Sequence, residues 1–130
     1  MGEHPNASLH RRGHRAFNAG DMSTLSELFA DDTVWHWPGK SQISGDLTGK
    51  EAVFQAFGKL NEMTGGNIKL EDRDFLGSDD RSVALSRVTA TRDGETIEYN
   101  MCEVLLWRDG QVVEEWIFLD DQYAYDEFWS

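Results

Sequence analysis

Cysteine is nearly missing from this chain of 130 residues: Cys102 stands alone. An intramolecular disulfide is therefore impossible, and no cysteine-based metal knuckle can form. Proline is scarce too, with Pro5 suited to a first helical turn and Pro38 to the end of a strand. Positive charge is in short supply too: 12 basic residues face 24 acidic ones, for a net charge of −12. A surface this acidic repels phosphate backbones and anionic lipid, which argues against nucleic acid and membrane partners. No apolar run approaches the length of a membrane span. The opening Met1-Gly2-Glu3-His4-Pro5 has no apolar core of a signal peptide, so a cytoplasmic protein is expected.

What the chain does have is aromatic mass, 12% of residues, including five tryptophans. Large rings fill a core or line a pocket economically. The length suits one domain, residues 1–130, around one core. Leu9, Gly13, Ala16 and Phe17 recur at helical spacing and predict a helix over 5–19, capped by Gly20. A second short helix follows, with Met22, Leu25, Leu28 and Phe29 inward and Asp31-Asp32 as its stop. Thr33 to Trp37 reads as a strand, followed by a polar loop to Gly49. Thr48 and Glu51 form a capping box for a third helix that buries Val53, Phe54, Phe57 and Leu60. Four strands are then predicted over 68–76, 82–92, 96–107 and 111–120. Asp79-Asp80, Asp93-Gly94 and Asp109-Gly110 mark tight turns between them, so an antiparallel meander is expected. An amphipathic piece over 121–129 closes the chain. Three helices cannot cover both faces of such a sheet, so they should pack on one concave face and leave a cavity there.

That order of elements resembles the SnoaL-like group of the nuclear transport factor 2-like superfamily, related to ketosteroid isomerase. The resemblance rests on Phe17-Asn18-Ala19-Gly20-Asp21 with Leu28-Phe29-Ala30-Asp31-Asp32, on Trp35-His36-Trp37-Pro38-Gly39 with Gly49-Lys50-Glu51-Ala52-Val53, and on Asp109-Gly110-Gln111-Val112-Val113-Glu114-Glu115-Trp116 followed by Asp120. It implies an α+β cone, helices packed on a curved, mainly antiparallel sheet around a pocket. It does not imply ketosteroid isomerase activity. That enzyme's general base falls on Trp37, its tyrosine donor on Gly13 and its second aspartate near Cys102. Polyketide cyclases of the SnoaL type place an acid on the last strand, in a setting similar to Trp116…Asp120.

Asp120 is accordingly a candidate acid or base. Beside Trp116 and aliphatic walls its carboxyl would be desolvated; the competing reading is a strand-end aspartate capping the last helix, with Asp121 in the same role. His36 lies between Trp35 and Trp37. Strand alternation puts the two indoles on one face and His36 on the other, unless a bulge reverses it. Glu103 occupies a place where the resemblance leads one to expect histidine; it shares a face with Tyr99, Met101 and Leu105, and is either a buried proton carrier or a surface charge. Arg87 could balance an acidic ligand or pair with a neighbouring carboxylate. His10 and His14, four apart on a helix, have metal-like spacing, but Arg11, Arg12 and Arg15 around them read as a solvated face, and no metal is expected. No phosphate loop or cofactor fingerprint occurs, so no cofactor is expected. Trp35, Trp37, Trp116, Met101 and Phe57 are candidate walls for a small hydrophobic or aromatic molecule.

The expected function is a pocket protein of this group. As an enzyme it would be a cofactor-independent isomerase, cyclase, dehydratase or epoxide hydrolase, with Asp120, His36 and Glu103 in proton transfer. The alternative is a non-catalytic ligand-binding or interaction domain. Apolar residues on both faces of the long strands (Val83 and Leu85 against Val88 and Ala90, Val112 and Phe118 against Val113, Ile117 and Leu119) point to a homodimer.

Overall fold

The computed structural model describes residues 3–130; Met1 and Gly2, part of the segment in which no signal peptide is read, lie outside it. The first helix, α1 (Pro5–Ala19), has proline in its first turn and ends at Gly20, whose φ of 69° is left-handed. Helix α2 (Met22–Leu28) is capped by the Asp21 side chain, which accepts the Thr24 N–H. Strand β1 spans Phe29–Trp37, so Asp31-Asp32 does not end a helix but lies inside a strand. Phe29 is buried as that strand's first residue, and Met22 is exposed rather than inward.

The polar loop contains a short strand, β2 (Gly45–Thr48), paired antiparallel with the outer half of β1. Thr48 belongs to that strand. Helix α3 (Lys50–Thr64) therefore starts from Gly49 with no side-chain cap, and the expected capping box is not formed. The meander follows: β3 (Ile68–Gly77), β4 (Arg81–Arg92), β5 (Glu95–Arg108) and β6 (Gln111–Leu119). Asp93 and Asp109 take φ of 52° and 53° ahead of Gly94 and Gly110, the left-handed pair that a tight hairpin requires. Helix α4 (Gln122–Phe128) is capped by Asp121, which accepts the Ala124 N–H.

The six strands form one mixed sheet in the order β2-β1-β6-β5-β4-β3. All neighbours are antiparallel except β1 and β6. Side chains alternate cleanly along β5: Tyr99, Met101, Glu103, Leu105 and Trp107 all face inward. Two bulges break the alternation elsewhere. On β6 the register jumps so that Val112 pairs with Trp107 and Glu114 with Leu106. Val113 is the extra residue, so Val112 and Glu115, three apart, both point inward. The expected sharing of a face by Val112 and Phe118 fails for this reason: Val112 is buried and Phe118 is 59% exposed. On β3 a like jump between Asp72 and Asp74 turns Asp72 and Phe75 both toward α1.

The main core lies between sheet and helices. Val53, Phe57 and Leu60 of α3 pack with Leu25, Leu28, Trp35, Trp37 and Trp129. Four of the five tryptophans are at least 94% buried; Trp116 lies on the opposite face of the sheet, stacked on His36.

Candidate active site

Helix α1 crosses the inner face at β3 and β4 and delivers His10 and His14 into the interior, 1% and 5% exposed. The expected solvated helix face is thereby corrected. The apolar stripe of α1 is wider than Leu9, Gly13 and Phe17 alone, and both histidines fall within it. The arginines that suggested a wet face turn aside, Arg11 lying over the Phe75 ring and pairing with Glu3.

One buried carboxyl, Glu103 from β5, meets these histidines, and a second, Glu115 from β6, lies beside it. His10 Nε2 and His14 Nε2 lie 2.7 and 2.8 Å from the same Glu103 oxygen, Oε1. His14 Nδ1 lies 2.8 Å from Asp72. On the other side, the Trp107 indole N–H donates to Ser82 Oγ at 2.7 Å, and Ser82 Oγ lies 2.7 Å from His10 Nδ1. Glu115 Oε1 accepts the Trp37 indole N–H at 3.1 Å, while among the described residues no imidazole, indole or hydroxyl bonds Glu115 Oε2.

The donor inventory assigns the protons. An indole only donates and a carboxylate only accepts. With Glu103 ionised, His10 donates to it from Nε2; the neutral ring that burial favours then accepts the Ser82 hydroxyl at Nδ1. His14 faces a carboxylate at each nitrogen and is an imidazolium. The electrostatics agree. Burial depresses the His10 pKa and outweighs its bond to Glu103. Burial also works against charge on His14, but the hydrogen bonds to Asp72 and Glu103 prevail and push it up to about 9. Burial opposes ionisation of Glu103, yet a hydrogen bond from Glu115, those from the two histidines and the charge on His14 hold it well below the usual carboxylate range. Glu115 goes the other way: burial, then the charge on Glu103 and the hydrogen bond to it, raise it well above that range and outweigh the Trp37 indole. The result is a buried anion beside a buried neutral acid.

Both carboxyls and both histidines line a cavity of about 90 Å³. Its walls are largely aromatic and aliphatic, with Trp35, Trp37, Phe57 and Met101 among them. Trp116 is not among them, and its expected place in the pocket is corrected: the β6 bulge leaves it on the outer face. His36 is also outside, between Asp46 at 2.7 Å and Glu114 at 2.6 Å. Asp120 is exposed and accepts the Asn100 backbone and side-chain N–H groups, so it sits neither beside Trp116 nor in the cavity. Arg87 pairs with Glu98 away from the site. His10, His14 and Glu103 are the one set among the described residues compact enough to hold a metal ion, with ligand atoms within 4.8 Å of one another. Their spacings are hydrogen-bond lengths, so an ion would have to part Glu103 from both rings.

Of this cluster, Glu103 is the one sequence-based candidate for proton transfer; Glu115, Asp72 and Ser82 are not among the candidates. A signal for Glu115 existed: it shares strand parity with Ile117 and Leu119.

Residues 10–115 match the SnoaL-like domain family. Among curated proteins, the chain is similar to an uncharacterised protein of Mycobacterium tuberculosis, 27% identical over 131 residues and 100% of both chains. Among solved structures it is similar to Bal32a, from a soil-derived mobile gene cassette, with 44% identity and a TM-score of 0.93 over 96% of each chain. A protein of unknown function with a cystatin-like fold from Xanthomonas campestris superposes with a TM-score of 0.91 and 28% identity, over 96% of this chain and 98% of that one.

Proposed function

The chain belongs to the SnoaL-like domain family, and on that premise we propose that it is a cofactor-independent proton-transfer enzyme acting on a small, uncharged apolar or aromatic molecule. The observation that carries this reading is the Glu103–Glu115 pair, two buried carboxyls whose surroundings drive their pKa values apart beside an aromatic cavity. Such a pair supplies a base and an acid at one pH. Glu115, protonated beside Glu103, is the group that donates to a ligand oxygen, turning its proton from Glu103 to the ligand. Glu103 is the base that takes a proton from the ligand, with His14 holding it ionised and His10 backed by Ser82 and Trp107. The last-strand acid implied by the resemblance is then Glu115 in place of Asp120. Isomerisation, cyclisation and dehydration all need this pair of steps, and epoxide opening needs the same acid with the base taking its proton from the attacking water. The same reading includes a homodimer formed through the outer sheet face, where Phe118 and Leu85 are exposed.

The test uses cyclohexanone, a small ring ketone with acidic α-protons. Wild-type protein in D₂O should speed deuterium uptake at those carbons, read by NMR. Glu103→Gln should lower that rate on the order of 10²-fold or more while saturable tryptophan quenching by the ketone persists. Quenching by wild-type protein with exchange at the buffer rate would favour the ligand-binding reading, for which the aromatic walls suffice.

A further inference from the structure

A second hollow opens beside the cavity, between the end of α1, the start of α2 and the middle of α3, with a volume of about 660 Å³. Phe17, Phe57 and Ile68 line both spaces. The partition between them is the edge-to-face pair of Phe17 and Phe57, with centroids 5.2 Å apart. The inner space, at about 90 Å³, falls short of the roughly 150 Å³ that holds a benzene ring in a protein core. A ring-sized ligand reaching Glu115 must therefore push back a wall, and of its walls only Phe17, Phe57 and Ile68 have the hollow on their far side.

Two features of the hollow indicate what lies in it. None of the described residues lining it is charged; Met22, Phe54 and the Phe pair are apolar, and Asn18 and Asn61 supply amide groups. Its wall on α3 includes Gly58, deep inside the helix, where a Cβ would meet no atom within 4 Å. Glycine in a helix interior costs about 1 kcal/mol relative to alanine, and here no neighbouring atom requires it. The missing side chain leaves the hollow wider.

We infer that the hollow is the outer half of one binding site, and that the ligand is a neutral molecule with a compact head in the cavity and an apolar tail passing Phe57 into the hollow. This rests on the inner cavity being the ligand site, and it names the substrate class: elongated, uncharged and amphipathic. It needs no chemistry beyond what the two carboxyls do to the head.

The test is binding of 4-alkylcyclohexanones, from methyl to heptyl, measured by tryptophan quenching. Each methylene that enters the hollow should tighten binding to wild-type protein roughly four-fold. In Gly58→Leu, whose side chain projects from the α3 wall into part of the hollow, the chain-length gain should shrink while the methyl compound binds as before. Gly58→Ala, which meets no neighbour and favours the helix, should keep the gain and shows that the position tolerates a side chain. Glu115→Gln should also keep it, because the tail does not depend on the acid. An affinity that does not rise with chain length in wild-type protein, or that rises equally in Gly58→Leu, overturns the inference. Failure of the catalytic reading would show instead as chain-length-dependent binding without deuterium exchange.

Discussion

Each side chain at the candidate site takes its protonation from the atoms it faces. Glu103 and Glu115 are the same residue type in the same cavity. They differ in that Glu103 receives two imidazole N–H groups and Glu115 receives one indole N–H. His14 owes its charge to Asp72, which the β3 bulge turns toward it. This has a consequence for stability. The His14 pKa in the folded protein is about 9, above the roughly 6.5 of an unfolded chain. Its stabilising contribution is therefore complete below pH 6.5 and is lost as pH rises through 9. Glu115, also raised, works in the same direction from the usual carboxylate range upward. Urea unfolding midpoints should fall between pH 6.5 and 9, with His14 contributing at most about 1.4 kcal/mol per pH unit. His14→Gln should be less stable at pH 6.5 and show a flatter profile. An identical slope in both proteins would remove the imidazolium from the account. His36, also raised by its bonds to Asp46 and Glu114, adds a smaller slope because it is partly in solvent.

The site depends on how closely α1 approaches the sheet, since that distance sets both histidines against Glu103. Gly77, the last residue of β3, permits the approach. A Cβ there would lie 2.9 Å from the Ala7 backbone nitrogen and 3.2 Å from the Ala7 Cβ, too close for either to stay in place. Gly77→Ala should lift the start of α1, cost about 1–3 kcal/mol in thermal or urea unfolding, and weaken deuterium exchange through the displaced histidines. Unchanged stability and exchange would mean that α1 is not held by this contact. The elements themselves were largely legible in the sequence, because helical spacing, Asp-Gly turns and the left-handed Gly20 are local signals. The site was less so. Alternation correctly puts His36 opposite Trp35 and Trp37 and groups Glu103 with Met101 and Leu105. It fails on β6 because an inserted residue such as Val113 leaves no mark in one sequence, and the inward partner of Val112 becomes Glu115. His10 and His14 escape the sequence pattern for a different reason. Next to three arginines a histidine reads as wet, and only the carboxylates that arrive from β3 and β5, 58 to 93 residues away in sequence, make a buried histidine affordable.

For the molecule as a whole, the inner face of the sheet is covered by helices and the outer face is not. Strand register arranges the outer side chains in rows. Leu85, Cys102 and Phe118 lie side by side across β4, β5 and β6, and Val83, Val104 and Trp116 form the next row. Beyond the first row comes Arg87 with Asn100, which bonds Asp120; beyond the second come Arg81, Leu106 and Glu114. An apolar block two rows deep, bordered on both sides by charge, has the pattern of an interface core with a polar rim. Phe118 at 59% exposure and Leu85 at 41% are expensive to leave in water in a protein whose net charge otherwise favours solubility. A two-fold axis through this block would set the same rows against each other, as an isologous contact requires. Light scattering at micromolar concentration should then give twice the chain mass of 14.8 kDa. Phe118→Asp places a carboxylate in the centre of the block, opposite its own copy in the partner, and should reduce the mass to that of one chain. The cavity lies on the other side of the sheet, so cyclohexanone binding by the variant should persist. A wild-type protein that scatters as a monomer, or a Phe118→Asp variant that remains a dimer, would rule this face out as the seam.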